Sequence, residues 1–471
     1  LEQATQLFDW AVRNVTLNDD PRMATNRPWQ TLIYGRGTAE QRAWVFAGLC
    51  RQRGLPTVVL QLPAAAPAGN DETASTSGGT PWLWCGVLDG GALHLFDPQL
   101  GLPVPGPSGG PNGGPDGRSV ATLAQVQADD TLLRALDLPG SAYPPTAEAA
   151  KRAVACVVAD GFALSWRAAE LQQQLSAANA VSLSIDADAL ATELRALPSV
   201  DEVRLWPAPA RLVAQAAGRG RLLREAIAVE FRPFCWQPRL WKARTLHLRG
   251  ALETEEEAKR RNDALYDAVN DHRTAGQLYM SRRVRPSDAR LESVAPAKRT
   301  IYARGKADAT YWLGLLQYEL GAYKSSLARL AEADNDPDAA RRAGGIRYNR
   351  GRALEALGQI EEAAAVFAAS ESPQQHGDRL RARRLLAGLE SAGESDAASD
   401  APREPEGQPE PEAESDAQEE TAAATPAAAT PAADGPAGDE ATAGGPTTGD
   451  RATGEAPSAT ENDATPAGGD Q

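Results

Sequence analysis

Three pairs of positions stand 37 residues apart: Gly314 and Gly351, Gly321 and Gly358, Leu330 and Phe367. A fixed period of this size constrains the fold more than any other feature of the chain. Each unit cannot bury its apolar face alone, so neighbouring units must stack. The first copy reads Tyr311-Trp-Leu-Gly314, Tyr318-Glu-Leu-Gly321-Ala-Tyr323, then Leu327 and Leu330. The second reads Tyr348-Asn-Arg-Gly351, Glu355-Ala-Leu-Gly358-Gln-Ile360, then Ala364 and Phe367. Gly314 and Gly351 are small enough to let two antiparallel helices approach closely. Gly321 and Gly358 fall at the turn between those helices, and Pro337 and Pro373 fall where each second helix should end. Arg350 departs from the pattern, because the first copy has Leu313 there. Two copies are fewer than the three or so that stand alone. The array over 306–389 must therefore lean on the charged helical region before it or on the helix Gly377 to Leu389 after it.

Charge divides the chain. The whole has 48 basic and 63 acidic residues, net −15. The stretch 391–471 holds 19 Asp+Glu against 2 Arg, so the first 390 residues are close to neutral. That stretch is Ala, Pro, Thr, Gly and acidic residues with no aromatic, and it is expected to be disordered because it buries too little to offset its ordering entropy. The four cysteines (Cys50, Cys85, Cys156, Cys235) form no CxxC, and the four histidines are scattered. No zinc site or disulfide framework is expected, and no cofactor. No apolar run approaches the ~18–20 residues of a membrane span. The first residue is Leu1, already inside an amphipathic helix over Glu2 to Val15, and an upstream segment is expected.

Between these ends the sequence reads as mixed α and β. A helix follows Gly37, opened by a Thr38/Gln41 capping box and stopped at Gly54-Leu-Pro56. Thr57 to Leu62 is a buried strand. Residues 63–81 are a polar insertion. Trp82 to Leu88 and Ala92 to Phe96 flank Asp89-Gly90-Gly91, a hairpin signal. Residues 102–117 read as a loop and 119–145 as a short helical exit. Further on, helices are predicted over Ala147 to Val158, Trp166 to Ala177 and Ala187 to Leu197, with strands at Val181 to Ile185 and Glu202 to Trp206. A charged helix is predicted around Glu253 to Val269.

The run from Gly37 to Val59 resembles the nucleophile helix of transglutaminase-like domains. That family shows Gly-x-Cys, an Ala four residues on, and a Leu-Leu-Arg-x-x-Gly-Ile-Pro exit into a strand. Gly37, Ala43, Leu49, Arg51, Gly54, Leu55 and Pro56 match in order. The helix N-terminus would lower a thiol's pKa, so the nucleophile belongs in the first turn. Ala39 stands there. The family's His-x-Trp-x-Glu strand and later Asp-Pro correspond to Trp82-Leu-Trp84-Cys-Gly86 and Asp97-Pro98. Trp82 replaces the general base, Gly86 the acid, and Asp97 alone survives. The resemblance, over roughly residues 8–106, implies a papain-like α+β domain whose triad positions Ala39, Trp82 and Asp97 are degenerate, and hence a non-catalytic protein. Ala39, Trp82 and Asp97 are expected to face one another. Cys50 and Cys85 read as buried small hydrophobes. The alternative is a cysteine enzyme with a displaced nucleophile.

The repeat resembles tetratricopeptide units, whose usual period is 34. That resemblance implies a groove for a protein or peptide partner, with Tyr311, Tyr318, Arg347 and Tyr348 as candidate contacts. Residues 204–244 carry 9 Lys+Arg against 2 acidic residues, interleaved with aromatics. Such a stretch can bind nucleic acid or another anionic polymer. No RNA- or DNA-binding motif accompanies it, and packing of a middle domain is the preferred reading. The expected organisation is a transglutaminase-like domain over 1–145, a mixed α/β region over 146–300, tetratricopeptide-like repeats over 306–389 and the acidic tail 391–471. By resemblance, such architectures are expected in exported, envelope-associated bacterial proteins.

Overall fold

A six-stranded sheet organises the computed structural model, which describes residues 1–18, 26–63, 81–108, 118–175, 181–218, 220–250, 274–284 and 286–399. Most of the insertion at 63–81, the helix read at 253–269 and the acidic segment beyond 399 lie outside the described residues. The fold is mixed α+β. The strands are β1 (Thr57–Gln61), β2 (Leu83–Asp89), β3 (Ala92–Asp97), β4 (Leu102–Pro103), β5 (Val154–Val157) and β6 (Glu202–Leu205). Their order is β6-β5-β1-β2-β3-β4, antiparallel except for the β5–β6 pair. The β2–β3 turn places Gly90 at φ 57° and Gly91 at φ 75°. Two consecutive left-handed residues are what a two-residue hairpin of the right twist requires.

The sheet crosses the boundary expected between residues 145 and 146, because β5 pairs with β1 and β6 with β5. The helix read over Ala147 to Val158 stops at Lys151, and Val154-Ala-Cys-Val157 is a strand. Three of those four residues are fully or nearly fully buried; a short apolar run fits a central strand as well as a helix turn. Val181 to Ile185, expected as a strand, has no regular structure. The loop expected at 102–117 instead opens with β4 and a further strand, Pro105–Ser108, which pairs with Arg118–Val120.

Side chains alternate across the sheet. Val59, Cys85, Val87, Phe96 and Cys156 face one way, and Val58, Leu60, Trp84, Leu95, Ala155 and Val157 face the other. The first face receives α1 (Glu2–Asn14) and α2 (Ala39–Gln52). Phe8 of α1, Phe46 of α2 and Phe96 meet with ring centroids 5.1–5.3 Å apart. The capping box is present: Thr38 accepts from the Gln41 amide at 3.3 Å, and the Gln41 side chain accepts from the Thr38 amide at 3.1 Å. The second face receives α3 (Leu123–Ala128), α4 (Ala147–Lys151) and α6 (Ala187–Arg195), with α5 (Trp166–Gln174) preceding α6 in the β5–β6 crossover.

The repeat forms two helical hairpins, α7 (Pro296–Glu319) with α8 (Tyr323–Asp334), and α9 (Ala343–Ala356) with α10 (Ile360–Ala368). Gly321 and Gly358 sit at the turns with φ of 74° and 76°. A Cβ on Gly314 would lie 2.9 Å from Leu330, and one on Gly351 2.6 Å from Phe367. The glycines and their large partners thus form two equivalent helix contacts. Arg350, the departure in the second copy, pairs with Asp334 of the first hairpin. The final helix α11 (Gln375–Ser399) carries helical backbone past 391, where disorder was expected. That stretch, Ser391-Ala-Gly-Glu-Ser-Asp-Ala-Ala-Ser399, still contains good helix formers.

The inner side of the hairpins is filled by α1. Arg352 pairs with Asp9, Asn349 donates to the Arg13 carbonyl at 3.1 Å, and Asn14 donates to Glu319 at 3.2 Å. The Arg13 guanidinium lies 4.6 Å from the Tyr318 ring centroid. Tyr311 and Tyr348, expected to line an open groove, are therefore buried, and Tyr318 and Arg347 are half-buried. The correction has a simple cause: two hairpins expose more apolar surface than they can cover by themselves, and the body of the same chain covers it. Trp236 of the stretch 204–244 is 39% exposed, but its other aromatics pack in or against the core. Phe231, Phe234 and Trp241 cluster with centroids 5.2–5.9 Å apart, Phe234 stacks on Trp312 at 5.6 Å, and Trp206 is buried.

Candidate functional site around Asp97

Strand alternation sends Asp97 to the same face as Leu93 and Leu95. There it is fully buried. Pro98 turns the chain, and Oδ1 accepts the amides of Gln99 (2.7 Å) and Leu100 (2.9 Å). Oδ2 accepts Nε1 of Trp82 (2.8 Å) and the hydroxyl of Tyr143 (2.5 Å). Trp84 Nε1 in turn donates to the Tyr143 hydroxyl at 2.7 Å. Burial raises the Asp97 carboxyl above its ordinary range, and the four donors oppose that rise. Burial beside the carboxylate pushes Tyr143 far up, so the phenol keeps its proton and stays a donor.

This arrangement leaves the carboxylate no free acceptor site for chemistry. Trp82 supplies an N–H donor and no base. Its donor is already committed to Asp97, and an indole nitrogen accepts no proton. Tyr143 was missed by sequence reasoning because it lies 46 residues from Asp97 and only the fold brings the two together. Asp97→Asn is expected to cost ~1–3 kcal/mol, because the new amide must aim its NH2 at two donors or leave an amide unpaired. Urea unfolding measures this; a loss below about 0.5 kcal/mol would show that the network carries little.

Ala39 occupies the first turn of α2, which covers the opposite face of the sheet from the Asp97 carboxylate. Trp82 and Asp97 are brought together, and they point away from the layer that carries Ala39. Arg42, one turn further along α2, is the residue that reaches toward the Asp97 turn. It is buried and donates to the carbonyls of Pro98 (2.9 Å) and Val15 (2.6 and 3.0 Å) and to Gln374 (2.7 Å). Burial lowers its pKa to about 10, which still leaves it cationic at neutral pH. The void beside it, lined by Thr16, Tyr348 and Asp378, measures ≈ 10 Å³. That is far below the ~300 Å³ of the smallest usual ligand pockets.

No thiol near this region is activated. Cys50 is buried and its pKa is pushed up to about 12; Cys85 and Cys156 are buried and raised. Cys235 is exposed. His247 is buried and lowered by that burial; its Nε2–H donates to the Glu319 carboxylate at 3.1 Å inside the helical arm. Among the described residues no group of three His, Cys, Asp or Glu could hold a metal ion, and no helix is long and apolar enough to cross a membrane. Three larger recesses lie elsewhere among the described residues; one of ≈ 530 Å³ is lined by Arg283, Leu291 and Glu332. One of ≈ 420 Å³ runs along α2 past Trp44, Gly48 and Arg51, and one of ≈ 620 Å³ lies against β6, lined by Leu164, Trp166 and Leu205. None of the three contains a cysteine or a histidine. No family model, no curated protein and no solved structure matches this chain.

Proposed function

We propose that the protein is a non-catalytic scaffold, its α/β body resembling transglutaminase-like domains in sequence pattern but not in the placement of Ala39 relative to Trp82 and Asp97, and its helical arm tetratricopeptide-like, which presents surfaces to a protein partner. One observation carries the reading. The carboxylate at the family's third triad position is saturated by four fixed donors, one of them the tryptophan that replaces the base. A covalent mechanism needs a nucleophile within hydrogen-bond reach of a base, and Ala39 and Trp82 offer neither. The helical arm serves first as an internal clamp, because α1 fills its inner side, so partner binding falls to the outer surfaces. The thiol-enzyme alternative finds no support in Cys50 or Cys85, whose thiols are held protonated.

The test has two readouts. Incubation with a glutamine-containing peptide and a fluorescent amine should give no incorporation above buffer. Iodoacetamide under native conditions should label Cys235 quickly and leave Cys50, Cys85 and Cys156 unlabelled until the chain is denatured. Turnover that disappears in Cys50→Ser or Cys85→Ser would overturn the proposal.

A further inference from the structure

β6 ends the sheet, and no described strand pairs with its outer edge. The register on β5 fixes which backbone groups point outward. The Trp206 amide donates to the Val157 carbonyl at 2.9 Å, and Leu205 is the residue opposite Val157. In a parallel ladder successive residues direct their backbone groups to alternate sides. Arg204 and Trp206 therefore serve β5, while Val203 and Leu205 turn their N–H and C=O groups to the open edge. An unpaired edge is a template for another strand. Charged residues usually blunt such an edge, and Glu202 and Arg204 are both exposed here.

We infer that this edge pairs with the same edge of a second copy, antiparallel about a two-fold axis through Val203. In that register Val203 exchanges both backbone bonds with its counterpart, and Leu205 exchanges them with Asp201 of the copy. Those are the residues whose groups point outward. Glu202 then falls directly opposite Arg204 of the copy, and Arg204 opposite Glu202. These are non-hydrogen-bonded positions, where Cα atoms approach to ~4.5 Å and side chains are closest. The charges that would repel a foreign strand thus become complementary for this one. The axis is normal to the sheet, so the α5–α6 layers of both copies lie on one side. Leu205 and Trp166, which are 51% and 77% exposed and line the same cleft, lie on that side beside the seam. Covering them adds apolar area to a short strand pairing.

Sedimentation velocity on the full chain tests this. It would be run over roughly 1–200 µM at about 0.15 M salt, where a Debye length of ~8 Å screens the acidic tail. A reversible monomer–dimer equilibrium is expected. Glu202→Arg and Arg204→Glu should each raise the dissociation constant at least ~10-fold, since each sets like charges opposite one another. The double swap Glu202→Arg/Arg204→Glu should return it to within about 3-fold of the parent. Circular dichroism and the melting temperature of each single variant check that the fold is intact. A monomer throughout the range, or a dimer indifferent to both single changes, overturns the inference and leaves the edge to a strand from another protein.

Discussion

Gly377→Ala is expected to destabilise the protein by more than ~3 kcal/mol, at the upper end of overpacking effects. A Cβ at this position would lie 1.8 Å from the Leu100 carbonyl oxygen and 2.6 Å from its carbon. The neighbour is backbone, not the end of a side chain, so relief requires α11 to move off the β3–β4 turn. That contact is shared by several bonds. Gln99 donates to the Pro373 carbonyl at 3.1 Å, His376 lies 2.8 Å from the Leu136 carbonyl, and Gln374 receives the Arg42 guanidinium. Asp378 is held by Ser370 (2.6 Å) and Gln374 (2.9 Å). Displacing the helix strains all of these, and the Asp97 turn with them. Gly48→Ala is the control. It lies inside α2 with nothing within 4 Å of a new Cβ, so it should be neutral or stabilising by up to ~1 kcal/mol. Urea midpoints for the two variants should move in opposite directions. Equal midpoints would show that α11 is loosely held.

Why some of this was legible in the sequence and some was not follows from the range of the interactions. The Thr38/Gln41 box, the Gly90-Gly91 hairpin and the 37-residue spacing of Gly314 and Gly351 are local patterns, and each is where the residues indicated. The two repeat glycines even identify their partners, Leu330 and Phe367, because those partners recur at the same spacing. The strands added at Val154 and Glu202 were not legible as part of the first sheet. Four apolar residues have no periodicity long enough to separate strand from helix, and nothing local says which sheet they join. The filling of the repeat by α1 depends on pairs such as Asp9 with Arg352, 343 residues apart. Alternation on the Trp82 strand put Cys85 on the opposite face from Trp82 and Trp84. It did not say which face α2 covers, and α2 packs on the Cys85 side. The expectation that Ala39, Trp82 and Asp97 face one another therefore held for Trp82 and Asp97 and failed for Ala39.

Asp308→Ala is expected to cost ~3–5 kcal/mol at pH 7, the usual effect of breaking a buried ion pair from one side. Asp308 is 2% exposed and holds both Arg341 and Arg342. Arg342 also donates to the Tyr34 carbonyl at 2.9 Å and lies 4.6 Å from the Trp312 ring centroid. Removing the carboxylate leaves two neighbouring guanidinium groups in the core, with Glu230 reaching only Arg341, at 3.7 Å. Asn would be a poor rescue, since its NH2 must face a cation that only donates. The pH dependence gives a second check. Although burial acts to raise it, the two arginines hold the Asp308 carboxyl below its ordinary 3.8. A carboxyl whose folded pKa is depressed contributes stability that is present above its unfolded pKa and is lost as pH falls through the folded one. Asp9, lowered to about 2 through Arg352 and Arg13, acts in the same direction. The parent protein should therefore lose stability steeply below about pH 4, and the variant less steeply, so that the gap between them narrows toward pH 2. Urea unfolding at a series of pH values reads both quantities. A gap under about 1 kcal/mol at pH 7, or one that stays constant down to pH 2, would mean that the arginines find other partners and that the junction between the hairpins does not rest on Asp308.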